Sequence, residues 1–299
     1  MRTDFKGKIA IVTGAANGLG KAYALALGKA GARLVVNDLG GDSKGVGRSN
    51  LAAKAVADDI TAMGGEALAS DCSVTDEAGI RAMVDRVTDR WGRVDILINN
   101  AGILQPRHFA RVDMADFRQV VDVNLMGAAI CSHAVWNIMR EQGYGRILMT
   151  TSEGALYPVP GAAGYAAAKL GLVGLMNALS VEGREHGIRV NSIAPAAATR
   201  MTKDMLNAGD FLRMGPESVV ATALYLVSDA APTGATLAVG AGRIERAFVT
   251  HSRGVELDAS QLTPAEVAAH FAAISDRAGD SAPDGLHSVA RVEQVARQR

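Results

Sequence analysis

Lys8-Ile-Ala-Ile-Val12 followed by Thr13-Gly14-Ala-Ala-Asn17-Gly18-Leu19-Gly20 decides the fold. An apolar run of buried-strand length gives way to a glycine turn and then to a helical pattern through Ala30. Strand, glycine turn and helix is the context a phosphate-binding loop requires. The glycines let the backbone approach a pyrophosphate, which then sits on the positive end of the helix. Gly14, Gly18 and Gly20 follow TGxxxGxG rather than GxGxxG, with Asn17 and Leu19 between them. A glycine-rich turn without a ligand has the same composition, so its neighbours must decide.

Outward from this turn, strands and helices alternate. Ala32 to Asn37 reads as the second strand, and Asp38 lies just past its end, 24 residues after Gly14. An acid there accepts hydrogen bonds from adenosine ribose hydroxyls and repels a 2′-phosphate. Two like charges about 4 Å apart repel by about 1 to 4 kcal/mol, a roughly tenfold to several-hundredfold preference for NAD over NADP. Asn17 is uncharged where a phosphate-binding cation would be useful, while Lys44 and Arg48, in and after the glycine-rich loop Gly40 to Gly47, leave NADP open. A solvated loop acid would also look like Asp38.

A helix over Ser49 to Met63, with Ser49 as N-cap, precedes a third strand, Glu66 to Ser70. Asp76 to Trp91 is helical, and Val94 to Ile98 is the fourth strand, ending in Asn99-Asn100-Ala101-Gly102. These small residues leave room for a flat ligand against the sheet, or make a turn. Phe117 to Met139 reads as one long helix carrying Asn124. A buried amide without a partner costs roughly several kcal/mol, so Asn124 needs one, whether from another helix or from a site.

Arg146 to Thr151 is the fifth strand, Ala163 to Glu185 a helix, and Ile188 to Ala194 the sixth strand. Arg200 to Met214 reads as a lid, Pro216 to Ser228 as a helix with Pro at its start, and Ala235 to Gly242 as a seventh strand. The pattern predicts an α/β fold: a doubly wound parallel seven-stranded sheet of Rossmann type, with helices on both faces and ligand at the strand carboxyl ends. One domain then spans 1–242. Beyond it, 243–299 forms an extension with a helix over Thr263 to Ile274 and a polar end that is either a packing arm or a disordered tail.

The totals narrow the class. The chain has 299 residues, 48% hydrophobic, with 31 basic and 31 acidic side chains. No global field attracts nucleic acid or an anionic membrane. Cys72 and Cys131 stand alone without a Cys/His cluster, which argues for a reducing compartment and against disulfides or a metal site. The polar N-terminus and the lack of an apolar run near 18 residues lead us to expect a soluble, cytoplasmic protein.

The chemistry lies in Ser152 to Lys169. Tyr165 and Lys169, four apart, share one face of a helix about 6 Å apart along its axis. A phenol with a pKa of about 10 is a poor base at pH 7, but an ammonium one turn away favours the phenolate. Ser152 adds a hydroxyl able to hold a substrate oxygen. An ordinary amphipathic helix can carry the same Tyr and Lys.

In combination, Thr13-Gly14…Gly18…Gly20, Asn99-Asn100-Ala101-Gly102, Asn124, Ser152 and Tyr165…Lys169 resemble the short-chain dehydrogenase/reductase family in order and spacing, over residues 7 to about 242. A narrower likeness, to the (3R)-hydroxyacyl-CoA dehydrogenase part of multifunctional enzymes of type 2, rests on Val35 to Asp42, Lys44-Gly-Val-Gly47, Ala101-Gly-Ile-Leu104, Phe109-Ala-Arg111, Tyr144-Gly-Arg-Ile147, Met201-Thr202 and Val239-Gly-Ala-Gly242. The chain departs from the family at Ser73-Val74, where an Asp-Val pair is usual. It departs again at Pro195-Ala196, where Pro-Gly is usual and where Thr199 arrives one residue early.

The resemblance implies hydride transfer between a secondary alcohol or ketone and NAD. Tyr165 would take the hydroxyl proton, Lys169 would lower its pKa and hold the nicotinamide ribose, Ser152 would position the substrate oxygen, and Asn124 would hold a water. Gly14, Asn17, Gly18, Leu19, Gly20, Asp38, Ser73, Val74, Asn100, Ala101, Gly102, Ala197 and Thr199 would complete the cofactor site. The implied substrate is a (3R)-hydroxyacyl-CoA, whose charges Arg107, Arg111, Arg200 and Lys203 could meet. A hydroxysteroid or a steroid side-chain CoA thioester is the alternative, and a catalytically silent NAD-sensing or scaffold protein is a third reading. A homodimer or homotetramer is expected by analogy.

Overall fold

A computed structural model of the chain describes residues 4–42, 47–157, 159–196, 215–260 and 262–282. Two compact units divide the chain, 1–246 and 247–299.

The first unit is built on a sheet of order β3-β2-β1-β4-β5-β6-β7-β8. Its strands are β1 (Ile9–Thr13), β2 (Arg33–Asn37), β3 (Ala67–Ser70), β4 (Ile96–Asn99), β5 (Gly145–Thr150), β6 (Ile188–Pro195), β7 (Thr236–Gly240) and β8 (Arg243–Ala247). The first seven pair in parallel, with Thr13 beside Asn37 and Val12 beside Ile98. Strand order reverses between β1 and β4, the place where an open α/β sheet leaves a crevice at its carboxyl edge.

Successive residues of a strand face opposite sides, and β1 divides its apolar residues accordingly. Ala10 and Val12 join a core with Tyr23, Leu27, Val56 and Leu226, whereas Ile9 and Ile11 join another with Ile80, Val84, Val135 and Leu172. The first layer contains α1 (Gly18–Lys29), α2 (Leu51–Ala62) and α8 (Glu217–Leu226). The second contains α3 (Glu77–Trp91), α5 (Gly127–Gln142) and α7 (Ala163–Glu182). Full burial contributes about 1.5–3 kcal/mol for each large apolar side chain, so the sheet holds its helices from both sides. By length and composition alone α7 could cross a membrane, yet it packs on β5 and β6 with Leu172, Val173 and Met176 buried.

The structure differs from the sequence expectation in three places. The seven expected strands are joined by β8, because Ala241 and Gly242 form a two-residue turn with φ of 49° and 82°. Such a link fits only antiparallel neighbours, and β8 closes the edge with exposed Arg243, Glu245 and Arg246, charges that discourage further pairing. The single long helix becomes α4 (Met114–Val121), a π-helical turn over Asp122–Met126, and α5. Residue Asn50, rather than Ser49, caps α2, although the Ser49 hydroxyl still accepts from the Leu51 amide at 3.3 Å.

In the second unit, Thr263 caps α9 (Pro264–Ile274) by accepting from the Glu266 amide at 3.2 Å, with Pro264 opening the helix. His251 and Ser281 form an antiparallel bridge. The expected lid over 200–214, Lys44, and the chain end from 283 lie outside the described residues.

Candidate active site

At the carboxyl edge of β1 and β4 the two loops are stitched together. The Thr13 hydroxyl accepts from the amides of Asn100 and Ala101 at 3.0 and 3.1 Å. In return, the Asn100 side chain donates to the carbonyls of Thr13 and Gly14 at 3.0 and 3.1 Å. Gly14 (φ 62°) sits so close that a Cβ there would lie 2.8 Å from Ala101 Cα. Gly20 is needed for a different reason than ligand approach: a Cβ would fall 2.1 Å from the Gly14 carbonyl oxygen and 2.5 Å from Asn100 Nδ2. It packs α1 against the turn, behind the cleft wall that Gly14, Asn17, Gly18 and Leu19 form.

Asp38 fastens the far side of this turn. One carboxylate oxygen accepts from the Ala16 amide at 2.9 Å and the other from the Gly40 amide at 2.7 Å. Each oxygen keeps a lone pair for a further donor. Beside it, Asn37 is buried and its side-chain oxygen has no partner among the described residues. Ser73 and Val74 also reach the cleft. The Ser73 hydroxyl meets Thr75 Oγ1 at 2.8 Å, and Val74 packs where a Cβ on Gly127 would clash, fixing the start of α5.

One cavity of about 710 Å³ takes in this turn, Asp38, Ser73, Val74, Asn100, Ala101, Gly102, Ser152, Tyr165 and Lys169. That volume lies within the roughly 300–1,000 Å³ of small-molecule and cofactor sites. Ser152 leads the one-turn helix α6 (Glu153–Leu156), and Tyr165 and Lys169 project from the first turns of α7. Lys169 is 4% exposed and donates to the Thr150 carbonyl at 2.8 Å, while the Thr151 hydroxyl donates to the Lys169 carbonyl. Burial pulls the Lys169 ammonium down to about 8.

Burial also holds the Tyr165 phenol above its ordinary value, with the Ser152 hydroxyl acting in the opposite direction. This differs from the expectation that Lys169 would lower it. Its ammonium lies 5.8 Å from the ring centroid and gives its hydrogen bond to the Thr150 carbonyl instead. Among the protein's own groups, desolvation therefore dominates both members of the couple.

Asn124 lies behind this couple, buried in the π-helical turn. Its amide nitrogen donates to the carbonyls of Ile103 (2.9 Å) and Val120 (2.8 Å), but its side-chain oxygen has no partner among the described residues. A Cβ added to Gly102 would lie 2.5 Å from that oxygen and 3.2 Å from Lys169 Nζ. Gly102 thus leaves a cradle between an unmatched acceptor and a donor with hydrogens to spare, the donor–acceptor set a ribose hydroxyl or a water requires.

Sequence reasoning brought Ser152, Tyr165, Lys169 and the glycine turn to one place, and the structure adds Thr13, Asn37, Thr150 and Thr151. Their signal was position, each being the last residue of a strand or the first beyond it. For the substrate end the sequence offered arginines at the mouth and a lid but not the wall: Leu104, Pro106, Glu153, Tyr157, Val159 and Pro160 line it, from the segment after β4 and from α6 and the turn behind it. Ala197, Thr199, Arg200 and Lys203 lie outside the described residues.

Comparison with known proteins fits this geometry. The chain is 42% identical over 284 residues, 95% of its length, to peroxisomal multifunctional enzyme A of Dictyostelium discoideum. It is 41% identical over 285 residues, 94% of its length, to peroxisomal multifunctional enzyme type 2 of Mus musculus. It spans 63% of the first and 38% of the second. A solved 7α-hydroxysteroid dehydrogenase, complexed with NADH and 7-oxo glycochenodeoxycholic acid, superposes with a TM-score of 0.72 at 33% identity, covering 81% of this chain and 96% of that one. Enzymes of this kind use NAD(P). Residues 8–208 match the short chain dehydrogenase family, and the chain belongs to that family as an oxidoreductase.

Proposed function

We propose that the protein is an NAD-dependent dehydrogenase of (3R)-3-hydroxyacyl thioesters, most naturally acyl-CoA. The observation that carries the reading is a single cavity reached by both the glycine turn and the Ser152–Tyr165–Lys169 set. Asp38, its two oxygens held at the turn, favours ribose hydroxyls over a 2′-phosphate and hence NAD. The likeness to multifunctional enzymes over nearly the whole chain supports the thioester.

When bound, nicotinamide supplies the hydride acceptor or donor. The protein's part is to place and move the proton. The Ser152 hydroxyl holds the substrate oxygen and steadies charge developing on it. Tyr165 takes the hydroxyl proton in oxidation and returns it in reduction. Lys169, anchored on the Thr150 carbonyl, has two further N–H groups for the nicotinamide ribose and for the cradle at Gly102. Asn124 Oδ1 would accept from a water there and continue the proton path.

The apolar wall at Leu104, Pro106, Val159 and Pro160 also suits a steroid, and the hydroxysteroid dehydrogenase likeness favours that second reading. A silent NAD sensor has no need of a proton-transfer couple, which weighs against a non-enzymatic role. Absorbance at 340 nm with NAD or NADP and a panel containing a 3-hydroxyacyl-CoA and a hydroxysteroid separates the three. Tyr165→Phe should lower turnover by about 10²–10⁴-fold while NADH still binds, as read by fluorescence titration. Retained turnover would remove Tyr165 from the mechanism.

A further inference from the structure

We infer that Glu153 is a specificity-determining residue that restricts the cleft to substrates uncharged beside the reacting carbon, admitting the thioester and excluding the free 3-hydroxy acid. The inference rests on the dehydrogenase reading above. Among the described residues, the carboxylates and ammonium groups lining the cavity are Asp38 and Asp42 beside the glycine turn, and Glu153 and Lys169 at the other end. Glu153 directly follows Ser152, the residue that meets the substrate oxygen, and it opens α6.

Its carboxylate makes no hydrogen bond and no ion pair among the described residues. Arg243, whose charge does feel Glu153, spends its guanidinium on Glu245 at 2.6 Å. Lys169, the one basic residue of the described lining, is fixed on the Thr150 carbonyl and weakened as a cation by burial. A substrate carboxylate two carbons from the reacting alcohol would therefore face Glu153 with little to oppose it. A thioester or ester puts no charge there. Of the remaining wall, Leu104, Pro106, Val159 and Pro160 offer apolar contact and Tyr157 an uncharged hydroxyl, so none of these supplies a cation. Like charges several ångströms apart in a half-buried cleft discriminate by roughly tenfold or more.

The test uses the full-length protein with NAD and three substrates sharing one acyl group. These are the N-acetylcysteamine thioester of (R)-3-hydroxybutyrate, its methyl ester, and the free acid. The thioester and ester omit the CoA phosphates, so the comparison reads charge at the reacting end alone. We expect kcat/KM for the neutral pair to exceed that for the free acid by at least about 100-fold. Glu153→Gln should narrow the ratio at least about tenfold by raising kcat/KM for the acid, and Glu153→Lys should narrow it further. NADH affinity should stay unchanged in both.

A ratio that moves less than twofold in both variants would overturn the inference and leave the dehydrogenase reading standing. Wild-type turnover of the hydroxysteroid but of none of the three acyl substrates would overturn the thioester reading, and the inference with it.

Discussion

The two edges of the sheet handle polar groups in opposite ways. At the amino edge almost every charge is matched. Asp95, fully buried, accepts from the Ile9 amide at 2.9 Å and takes a forked bond from Arg93. Arg146 donates to the carbonyls of Ser228, Gly145 and Gly187 at 3.0, 2.7 and 3.1 Å, and its guanidinium lies 4.1 Å from the Tyr144 ring. The ammonium of Lys8 covers that ring too, at 3.6 Å. At the carboxyl edge Asn37, Thr150 and Asn124 each leave a buried oxygen without a partner among the described residues, and Lys169 has one bond for three hydrogens. Buried polar groups are normally satisfied, so a concentration of exceptions at one edge marks where something else is received. The amino edge binds the chain to itself; the carboxyl edge is reserved for a ligand.

The comparison breaks most visibly through Arg146. Arg146→Met should destabilise the protein by about 4 kcal/mol, because three carbonyls lose a charged donor in a buried site. It should leave NADH affinity untouched. Arg146→Lys should recover little, since a point charge cannot reach three carbonyls in a fan. Urea midpoints at unchanged slope measure both. A loss under 1 kcal/mol for Arg146→Met would mean that the amino edge is not where stability is concentrated.

The carboxyl edge should respond in the reverse direction. Lys169 titrates near 8 when folded against an ordinary 10.5. Above pH 10.5 it is neutral in both states and its burial carries no charge penalty. As pH falls from 10.5 to 8 the unfolded chain takes up the proton first, and stability declines. Below about 8 the full penalty stands, roughly 3 kcal/mol. Lys169→Met, without added cofactor, should therefore be about 3 kcal/mol more stable than wild type at pH 7, with the gap closing by pH 10.5. It should also lose nearly all turnover. A pH-independent gap would show that the difference is packing rather than charge.

How much of this contrast the sequence carried depends on the kind of signal. The Lys8–Gly20 stretch and the alternation of apolar runs placed the parallel strands, because buried strands and glycine turns leave local marks. Tyr165 and Lys169 were legible through spacing on one helix, and Ser152 through its place in the resemblance. The eighth strand was not, since Arg243-Ile-Glu-Arg-Ala247 is too polar to read as sheet until the Ala241-Gly242 turn folds it back. The π-helical turn at Asn124 leaves no periodic trace within one apolar helix. Glu153 opens the one-turn helix α6, and the wall at Leu104 and Val159 lies on irregular loops, whose convergence depends on contacts such as the Arg107 amide to the Gly161 carbonyl at 2.8 Å. Nor did spacing reveal that burial outweighs the lysine at Tyr165, because desolvation is a property of everything packed around a group.

Among the described residues, Tyr23, Ser192 on β6 and Asp280 in the second unit also hold a buried oxygen without a partner, and Tyr23 sharpens the contrast. Tyr23, on α1, is wholly buried in the core and its hydroxyl has no partner among the described residues; burial alone pushes its pKa well up. If unmatched polar atoms at the carboxyl edge are kept for a ligand, the Tyr23 hydroxyl, which does not line the cavity, is merely a cost. Tyr23→Phe keeps the ring and removes the unpaired group. It should raise stability by about 1 kcal/mol, at the low end of the desolvation penalty for an unsatisfied hydroxyl, and leave kcat/KM within twofold. Thr150→Val, by contrast, removes an unmatched hydroxyl from the cavity wall beside the Lys169 anchor. Should both variants gain stability while only the second loses activity, the same defect has been assigned two meanings by its address on the sheet. A destabilised Tyr23→Phe would instead show that the hydroxyl has a partner in solution and is no orphan.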